Sequence, residues 1–293
     1  MYNAELKRRP PWLRVKAFRN KRYEEIRKLL RAKGLHTVCQ EALCPNIGEC
    51  FGKGTATFLI LGDTCSRNCT FCNVSSITPH GLDKDEPKRV AEAIRIMNLD
   101  YIVITSVTRD DILDGGASVY AETINEIKRL NNNCKVEVLI PDFQGDYDSL
   151  KIVLDAGPDV LNHNIETIQR LYPDVRPQAD YNISLELLKR ASEYRPDIPT
   201  KSGLMVGLGE TIVEIKASLK DLRKHNCQML TVGQYLAPSK RHHPVIRYYH
   251  PDEFEEIEQY AYSIGFKSAA CAPLVRSSYN AGEQARKLTV NKS

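Results

Sequence analysis

Six cysteines stand in two groups of three: Cys39, Cys44 and Cys50, then Cys65, Cys69 and Cys72. The second group reads C-x3-C-x2-C, with Phe71 just before its last cysteine. Thiolates are soft ligands that suit zinc or iron–sulfur centres. Structural zinc takes four ligands, commonly from paired C-x2-C knuckles, and three unequally spaced cysteines fit that poorly. Three thiolates on a short loop suit three corners of a cubane iron–sulfur cluster and leave its fourth iron open to a small molecule. Three unligated thiols on such a loop would be prone to oxidation.

The chain has nine cysteines in 293 residues, an odd number that excludes complete internal pairing. It is also too long to need a disulfide framework, so the clusters point to metal or redox chemistry. Cys134 and Cys227 stand apart and read as small buried hydrophobes; Cys271, five residues before Arg276, is expected near the first triplet without being a ligand.

These loops need a scaffold. Short β-rich apolar runs at 56–61, 101–106, 135–140, 160–164, 200–206 and 229–233 alternate with helical periodicity at 86–97, 119–130, 147–156, 183–194, 211–224 and 252–264. Another helix is predicted over 21–33, stopped by Gly34. The segment 39–50 has little periodicity and reads as a loop, and the tail from Cys271 reads as irregular. Six strand–helix units predict a parallel sheet, either an open partial barrel or a doubly wound sheet. In both, active sites lie at the C-terminal ends of strands. The Cys65–Cys72 loop follows the first strand and therefore lies at that edge.

Hydrophobic residues at 42% and charged residues at 27% describe a folded globular protein. Apolar runs such as 58–61 fall far short of the roughly 20 residues of a membrane helix. The first residues lack the apolar segment of a signal peptide, so the expectation is a cytoplasmic protein without a membrane partner. The net charge of +4 is an average: residues 1–33 carry twelve basic and three acidic side chains, which leaves −5 for the rest. Lys7, Arg8 and Arg9 begin this basic arm. A solvated arm is the default reading, and nucleic acid or an acidic protein are the sharper ones.

C-x3-C-x2-C after the first strand of a six-unit α/β chain resembles the radical S-adenosylmethionine (SAM) superfamily. The first triplet, C-x4-C-x5-C, and Arg276-Ser277-Ser278-Tyr279 make the chain similar to the lipoyl synthase family in particular. CPNIGECF (44–51), TSVTRDDILDGGA (105–117), NHNIET (162–167) and TKSGLMVGLGE (200–210) extend the resemblance over about 11–281. Asn280 departs from it, where the family pattern has His.

The resemblance implies a partial (β/α)6 barrel at 56–265, preceded by a cluster-binding extension at 1–55 and followed by a tail at 266–293. Cys65, Cys69 and Cys72 would hold a [4Fe–4S] cluster that binds SAM. Cys39, Cys44 and Cys50 would hold an auxiliary [4Fe–4S] cluster, the sulfur source, completed by Ser278, with Ser277 as its rival. SAM contacts would come from Phe71, Ser106, Asn164, Glu166, Gly203, Gly207 and Glu210. The implied reaction inserts sulfur at C6 and C8 of an octanoyl-lysine on a lipoyl carrier domain, of the 2-oxoacid dehydrogenase E2 or glycine cleavage H protein type. It implies a low-potential electron donor such as ferredoxin or flavodoxin, an iron–sulfur carrier that rebuilds the auxiliary cluster, and no nucleic acid. A different two-cluster radical SAM sulfur-inserting enzyme is the alternative, and a zinc-binding nucleic-acid module the remote one.

Other residues carry open readings. His163 at a strand end points to the active site. Arg176 and Lys201 are candidates to meet carboxylates of SAM or substrate. Arg109, Asp110 and Asp111 form either a solvated turn or part of the site. His242 and His243, in a basic loop, read as solvent-facing.

Overall fold

The computed structural model describes residues 9–14, 21–42, 44–52 and 56–290. Lys7 and Arg8 of the basic arm lie outside them. The N-terminal part holds α1 (Lys21–Ala32), β1 (His36–Thr37), α2 (Val38–Glu41) and α3 (Ile47–Gly52). Strand and helix then alternate through β2 (Thr57–Ile60), α4 (Glu86–Met97), β3 (Tyr101–Ser106), α5 (Ala117–Leu130), β4 (Lys135–Leu139) and α6 (Tyr147–Asp155). Next come β5 (Val160–Asn162), α7 (Tyr172–Val175), α8 (Tyr181–Tyr194), β6 (Thr200–Val206) and α9 (Ile212–Lys224). The chain ends with β7 (Met229–Gln234), α10 (Pro251–Ser263), β8 (Ser268–Cys271) and α11 (Ala281–Val290).

The eight strands form one sheet in chain order. β1 pairs antiparallel with β2, and every later pair is parallel. A chain that always adds its next strand beside the last, with a helix between, curls into a partial barrel left open between β1 and β8. Helices cover one face of the strands and the barrel interior the other, so the strands are buried on both sides. All four residues of β2 and all six of β7 are buried.

Local chemistry sets where helices start. The Asp146 carboxylate accepts from the first-turn amides of α6, and Asp180 does the same for α8. Thr211 and Glu214 form a reciprocal capping box on α9. Each such cap stabilises by about 1 kcal/mol. The apolar faces of α4 and α5 pack on β2, β3 and β4 through Ile94, Ile124, Phe58, Ile104 and Val138. Ile94 and Ile124 are fully buried, and burial of each contributes about 1.5–3 kcal/mol. Leu219, Val232 and Phe254 centre the packing under α9 and α10. Tyr23, Ile26 and Leu30 of α1 join the first group. Tyr23 also meets the Phe51 ring of α3 at 5.6 Å.

The structure holds elements absent from the sequence reading, among them β8, α11, α2 and α3. β8 adds a seventh parallel strand whose residues, Ser-Ala-Ala-Cys, include no β-branched or aromatic side chain. Its pairing with β7 makes it a strand. α11 occupies part of the tail that reads as irregular. α2 and α3 lie in the segment read as a loop, and at four and six residues they are too short to display a period.

Candidate active site

β2 ends in two residues with left-handed backbone, Leu61 (φ 68°) and Gly62 (φ 92°). They turn the chain from the strand into the loop that carries Cys65, Cys69 and Cys72. Several separate segments pin this loop. The Cys65 amide donates to Ser75 O at 2.8 Å, and the Ser66 amide to Thr108 O at 2.9 Å. The Thr70 amide donates to Val175 O at 3.0 Å, and the Asn68 amide to Gln178 Oε1 at 2.8 Å. On the far side the His243 amide donates to Thr70 O at 2.9 Å, and His242 Nε2 lies 3.1 Å from Cys72 O. The two histidines are thus half-buried fasteners on the cysteine loop, not solvent-facing residues; their ring nitrogens find carbonyls of Leu208 and Cys72.

Arg67, between the first two cysteines of the loop, is 6% exposed. Its Nε and Nη2 donate to Asp110 at 2.6 and 2.9 Å. Its Nη1 and Nη2 both donate to Asp142 at 2.7 Å. Burial works against charge on Asp142, but the Arg67 guanidinium holds its pKa down at about 2. Asp110 therefore belongs to a clamp behind the loop, neither a solvated turn nor a cavity wall. Arg109 is buried as well and binds Asp111 and the carbonyl of Leu61.

Of the first triplet, Cys39 is on α2 and Cys50 on α3, and Cys44 lies between the two helices. The Cys44 amide donates to Cys39 O at 3.0 Å, and the Cys50 amide to Asn46 O at 2.9 Å. Burial pushes the Cys39 thiol up to about 12, and the neighbouring Cys44 and Cys50 add to the shift. Burial likewise pushes Cys72 up to about 12 and raises Cys69 and Cys44. Clustered thiols of this kind stay protonated unless a metal centre compensates the thiolate charge. The C-terminal segment lies against the first triplet: Asn46 Nδ2 donates to Leu274 O at 2.7 Å.

A cavity of about 470 Å³ opens among these parts. Cys39, Cys44, Cys65, Cys69 and Cys72 line it, as do Ser277 and Ser278. Cys50 is placed beside Cys39 without lining it. Phe71, Ser106, Asn164, Glu166 and Gly203 are in the wall, with His163 and Arg176. Four buried polar atoms of that wall have no hydrogen-bond partner among the described residues: Ser106 Oγ, His163 Nε2, Asn164 Oδ1 and Arg176 Nε. Arg176 is held by its Nη1, which reaches Asn164 O at 3.1 Å and the Tyr172 hydroxyl at 3.0 Å. Glu166 has left-handed backbone (φ 63°), and its carboxylate accepts from Asn164 Nδ2 at 3.0 Å. A strained non-glycine residue beside a cavity is a mark of functional sites. At Gly203 a Cβ would come within 2.5 Å of Thr231 Oγ1 and 2.9 Å of Asn164 Oδ1.

Gly207 and Glu210 lie away from this wall. The Glu210 carboxylate accepts from the amides of Gly207 and Leu208 at 2.6 and 2.9 Å, which closes the turn after β6. Gly207 has φ 102°, and a Cβ there would fall 2.1 Å from Gln234 Nε2. Lys201 also stays away from the cavity. Its Nζ meets Glu137 Oε1 at 2.9 Å, both side chains fully buried in the barrel interior. Asn162 and Tyr101 donate to the same carboxylate. Asp142 carries no sequence motif that points to the site, and Arg67 is visible in the sequence only as a cation inside a cysteine loop.

The donor set fits iron–sulfur centres: of the nine free cysteines, five in two groups line one cavity, and Cys50 stands beside Cys39. Among the described residues, no three His, Cys, Asp or Glu side chains are grouped as one metal ion requires. The unpaired acceptors and the unpaired Arg176 N–H fit a small zwitterion such as SAM.

The Radical SAM superfamily profile matches residues 59–222. The lipoyl synthase of Caldicellulosiruptor saccharolyticus is 59% identical over 94% of this chain and 97% of its own length. That of Hahella chejuensis is 55% identical over 97% of this chain and 86% of its own length. Among solved structures, HydG, a maturase of the [FeFe]-hydrogenase, covers 89% of this chain and 74% of its own at 16% identity, with a TM-score of 0.53. Streptococcus suis SuiB bound to S-adenosylmethionine covers 83% of this chain and 57% of its own at 12% identity, with a TM-score of 0.55. The two structures share the fold, while the sequences give the family. The chain is an enzyme of the lipoyl synthase family, within the radical SAM superfamily.

Proposed function

We propose that this enzyme inserts two sulfur atoms, at C6 and C8, into an octanoyl group borne on a lysine of a lipoyl carrier domain. The sulfur comes from an auxiliary [4Fe–4S] cluster, which is consumed as a substrate. The observation that supports this reading most is the convergence of Cys65, Cys69 and Cys72, of Cys39 and Cys44, and of Ser277-Ser278 on one cavity. Superfamily membership implies one [4Fe–4S] cluster and SAM; the second cluster is part of the proposal.

Cys65, Cys69 and Cys72 hold the SAM-binding cluster in this reading. Cys39, Cys44 and Cys50 of the 1–55 extension hold the other, with Ser278 of the 266–293 tail as its fourth ligand. When bound, the reduced cluster and SAM supply the hydrogen-abstracting power that an unactivated C–H bond demands. The protein's task is to hold, orient and exclude. Arg176 offers its Nε–H to a carboxylate, and Asn164 Oδ1 and His163 Nε2 accept from ammonium or hydroxyl groups. Ser106 and Glu166 add polar contacts, Phe71 packs beside the adenine, and Gly203 leaves room for the nucleoside. Gly207 and Glu210 act one step back, by fixing the turn after β6. Leu59, Val74, Leu139 and Met205 give the cavity apolar walls that suit an alkyl chain and keep water out. The hard oxygen of Ser278 matches a cluster iron less well than thiolate does, so it can let that iron go when sulfur must leave.

The partners in this reading are octanoylated carrier domains, a ferredoxin- or flavodoxin-type donor and an iron–sulfur carrier that rebuilds the spent cluster. A cytoplasmic location belongs to the same reading. No helix among the described residues is long and apolar enough to cross a membrane.

The test is direct. The reconstituted protein is incubated with SAM, a strong reductant and an octanoylated lipoyl-domain peptide. Mass spectrometry should show two added sulfurs, with release of 5′-deoxyadenosine. SAM cleavage without any mass gain on the peptide would overturn the assignment.

A further inference from the structure

Cys65 differs from the other thiols of its loop in how its sulfur is solvated. Two backbone amides point at it: the Thr108 N–H at 3.3 Å and the Arg67 N–H at 3.4 Å. Thr108 is on the exit loop of β3, so the first of these bonds exists only while that loop is held against the cysteine loop. Ser66 zips the two together: its amide and hydroxyl donate to Thr108 O at 2.9 and 3.0 Å, and its Oγ accepts from the Asp110 amide at 3.0 Å. Arg67 then locks the arrangement from behind. Four N–H···O bonds join its guanidinium to Asp110, on the β3 exit, and to Asp142, on the β4 exit. A planar fork with donors on two edges makes this double clamp, and an ammonium group does not.

We infer that Arg67 is a positioning residue: its clamp holds the Thr108 N–H on Cys65 Sγ and thereby sets the reduction potential of the SAM-binding cluster. Hydrogen bonds to cluster sulfurs stabilise the more negative, reduced state and raise the potential. The clamp is also stiff where it must be. Beyond Asp142, Phe143 and Gln144 both adopt left-handed backbone (φ 47° and 53°), and Asp142 Oδ1 accepts from the Gln144 amide at 2.9 Å. The carboxylate that grips Arg67 is therefore itself fixed by a turn that side chains rarely adopt. The inference rests on the reading that Cys65, Cys69 and Cys72 hold that cluster.

The experiment is a potentiometric titration of the full-length, iron-loaded protein, followed by the EPR signal that changes when SAM is added. Arg67→Lys keeps the positive charge and loses the fork; Asp142→Asn keeps Arg67 and loses its better-buried partner. Both variants should show a more negative potential for the SAM-responsive cluster at unchanged iron content. A wild-type potential in Arg67→Lys would overturn the inference, because charge alone would then suffice. Where Arg67→Lys fails to load iron, Asp142→Asn is decisive: an unshifted potential rejects the clamp. An absent SAM-responsive signal in the wild type defeats the underlying cluster assignment instead. A thermal-unfolding shift without a potential shift would mean that the clamp serves only the fold, and would likewise overturn it.

Discussion

The hydroxyl of Tyr279 donates to Glu49 Oε1 at 3.2 Å, across 230 positions of sequence. It joins the Arg-Ser-Ser-Tyr segment to α3, the helix that carries Cys50. A hydrogen bond to a charged group contributes about 1.5–3 kcal/mol when well made, and less when partly solvated. Tyr279→Phe should therefore lower stability by roughly 1 kcal/mol and loosen the first triplet. Iron counts after a timed chelator challenge should fall faster than in wild type. Equal retention would show that the contact does not hold that site together.

Ser278→Ala should separate the two halves of the reaction. SAM cleavage should persist, while sulfur insertion into an octanoyl peptide falls by at least tenfold. The ratio of 5′-deoxyadenosine to thiolated product measures this. Ser277 also lines the cavity, and Ser277→Ala is the control. A larger defect in Ser277→Ala would move the ligand by one position.

The Lys201–Glu137 pair is buried to 0% exposure on both sides. Removal of one member of such a pair leaves an uncompensated charge and costs about 3–5 kcal/mol. Lys201→Met should lower the denaturant midpoint accordingly. Adding Glu137→Leu should recover only part of the loss, because Tyr101 and Asn162 then lose their acceptor. SAM cleavage per folded molecule should stay unchanged, since Lys201 does not line the cavity. Selective loss of cleavage would give it a role in the site.

Burial, with help from the Arg176 charge, pushes His163 down to about 4, against a milder pull from Asp142. The unfolded state then binds more protons than the native state between pH 4 and about 6.5. The stability from keeping this ring neutral is complete above pH ~6.5 and is lost as pH falls towards 4. The loss amounts to about 3 kcal/mol. Unfolding midpoints of the metal-free protein should fall across that window, and less steeply in His163→Gln. Parallel curves for the two proteins would contradict a neutral His163.

Much of the scaffold is legible because its strands are buried on both faces and its helices on one, so periodicity and apolar runs report them. The Cys65–Cys72 loop could be placed at the strand edge for the same reason. β8 and α11 escape that logic. Ser268–Cys271 is a strand only because β7 is beside it, and the helix after Asn280 follows a segment with no apolar period. In the site, cysteines announce themselves by type and spacing. Arg67, Asp110 and Asp142 do not, because their meaning lies in a fork closed across 43 and 75 positions. Lys201 shows the opposite failure: a cation near a glycine-rich strand suggests a ligand, and the fold spends it on Glu137. Gly207 and Glu210 look alike in sequence to cofactor contacts, yet their polar atoms close a turn.

The contacts Asn46–Leu274 and Tyr279–Glu49 also have a consequence for the order of synthesis. The partners of the Cys65–Cys72 loop, from Asp110 to His243, emerge from the ribosome before the C-terminal segment does. The first triplet is translated earlier still, yet Leu274 and Tyr279, which lie against it, follow their partners by 228 and 230 positions. A nascent chain therefore assembles the second cysteine loop first and keeps the first triplet uncovered until Leu274 and Tyr279 have emerged. In a newborn molecule, the cysteine triplet that is made first is also the one that closes last.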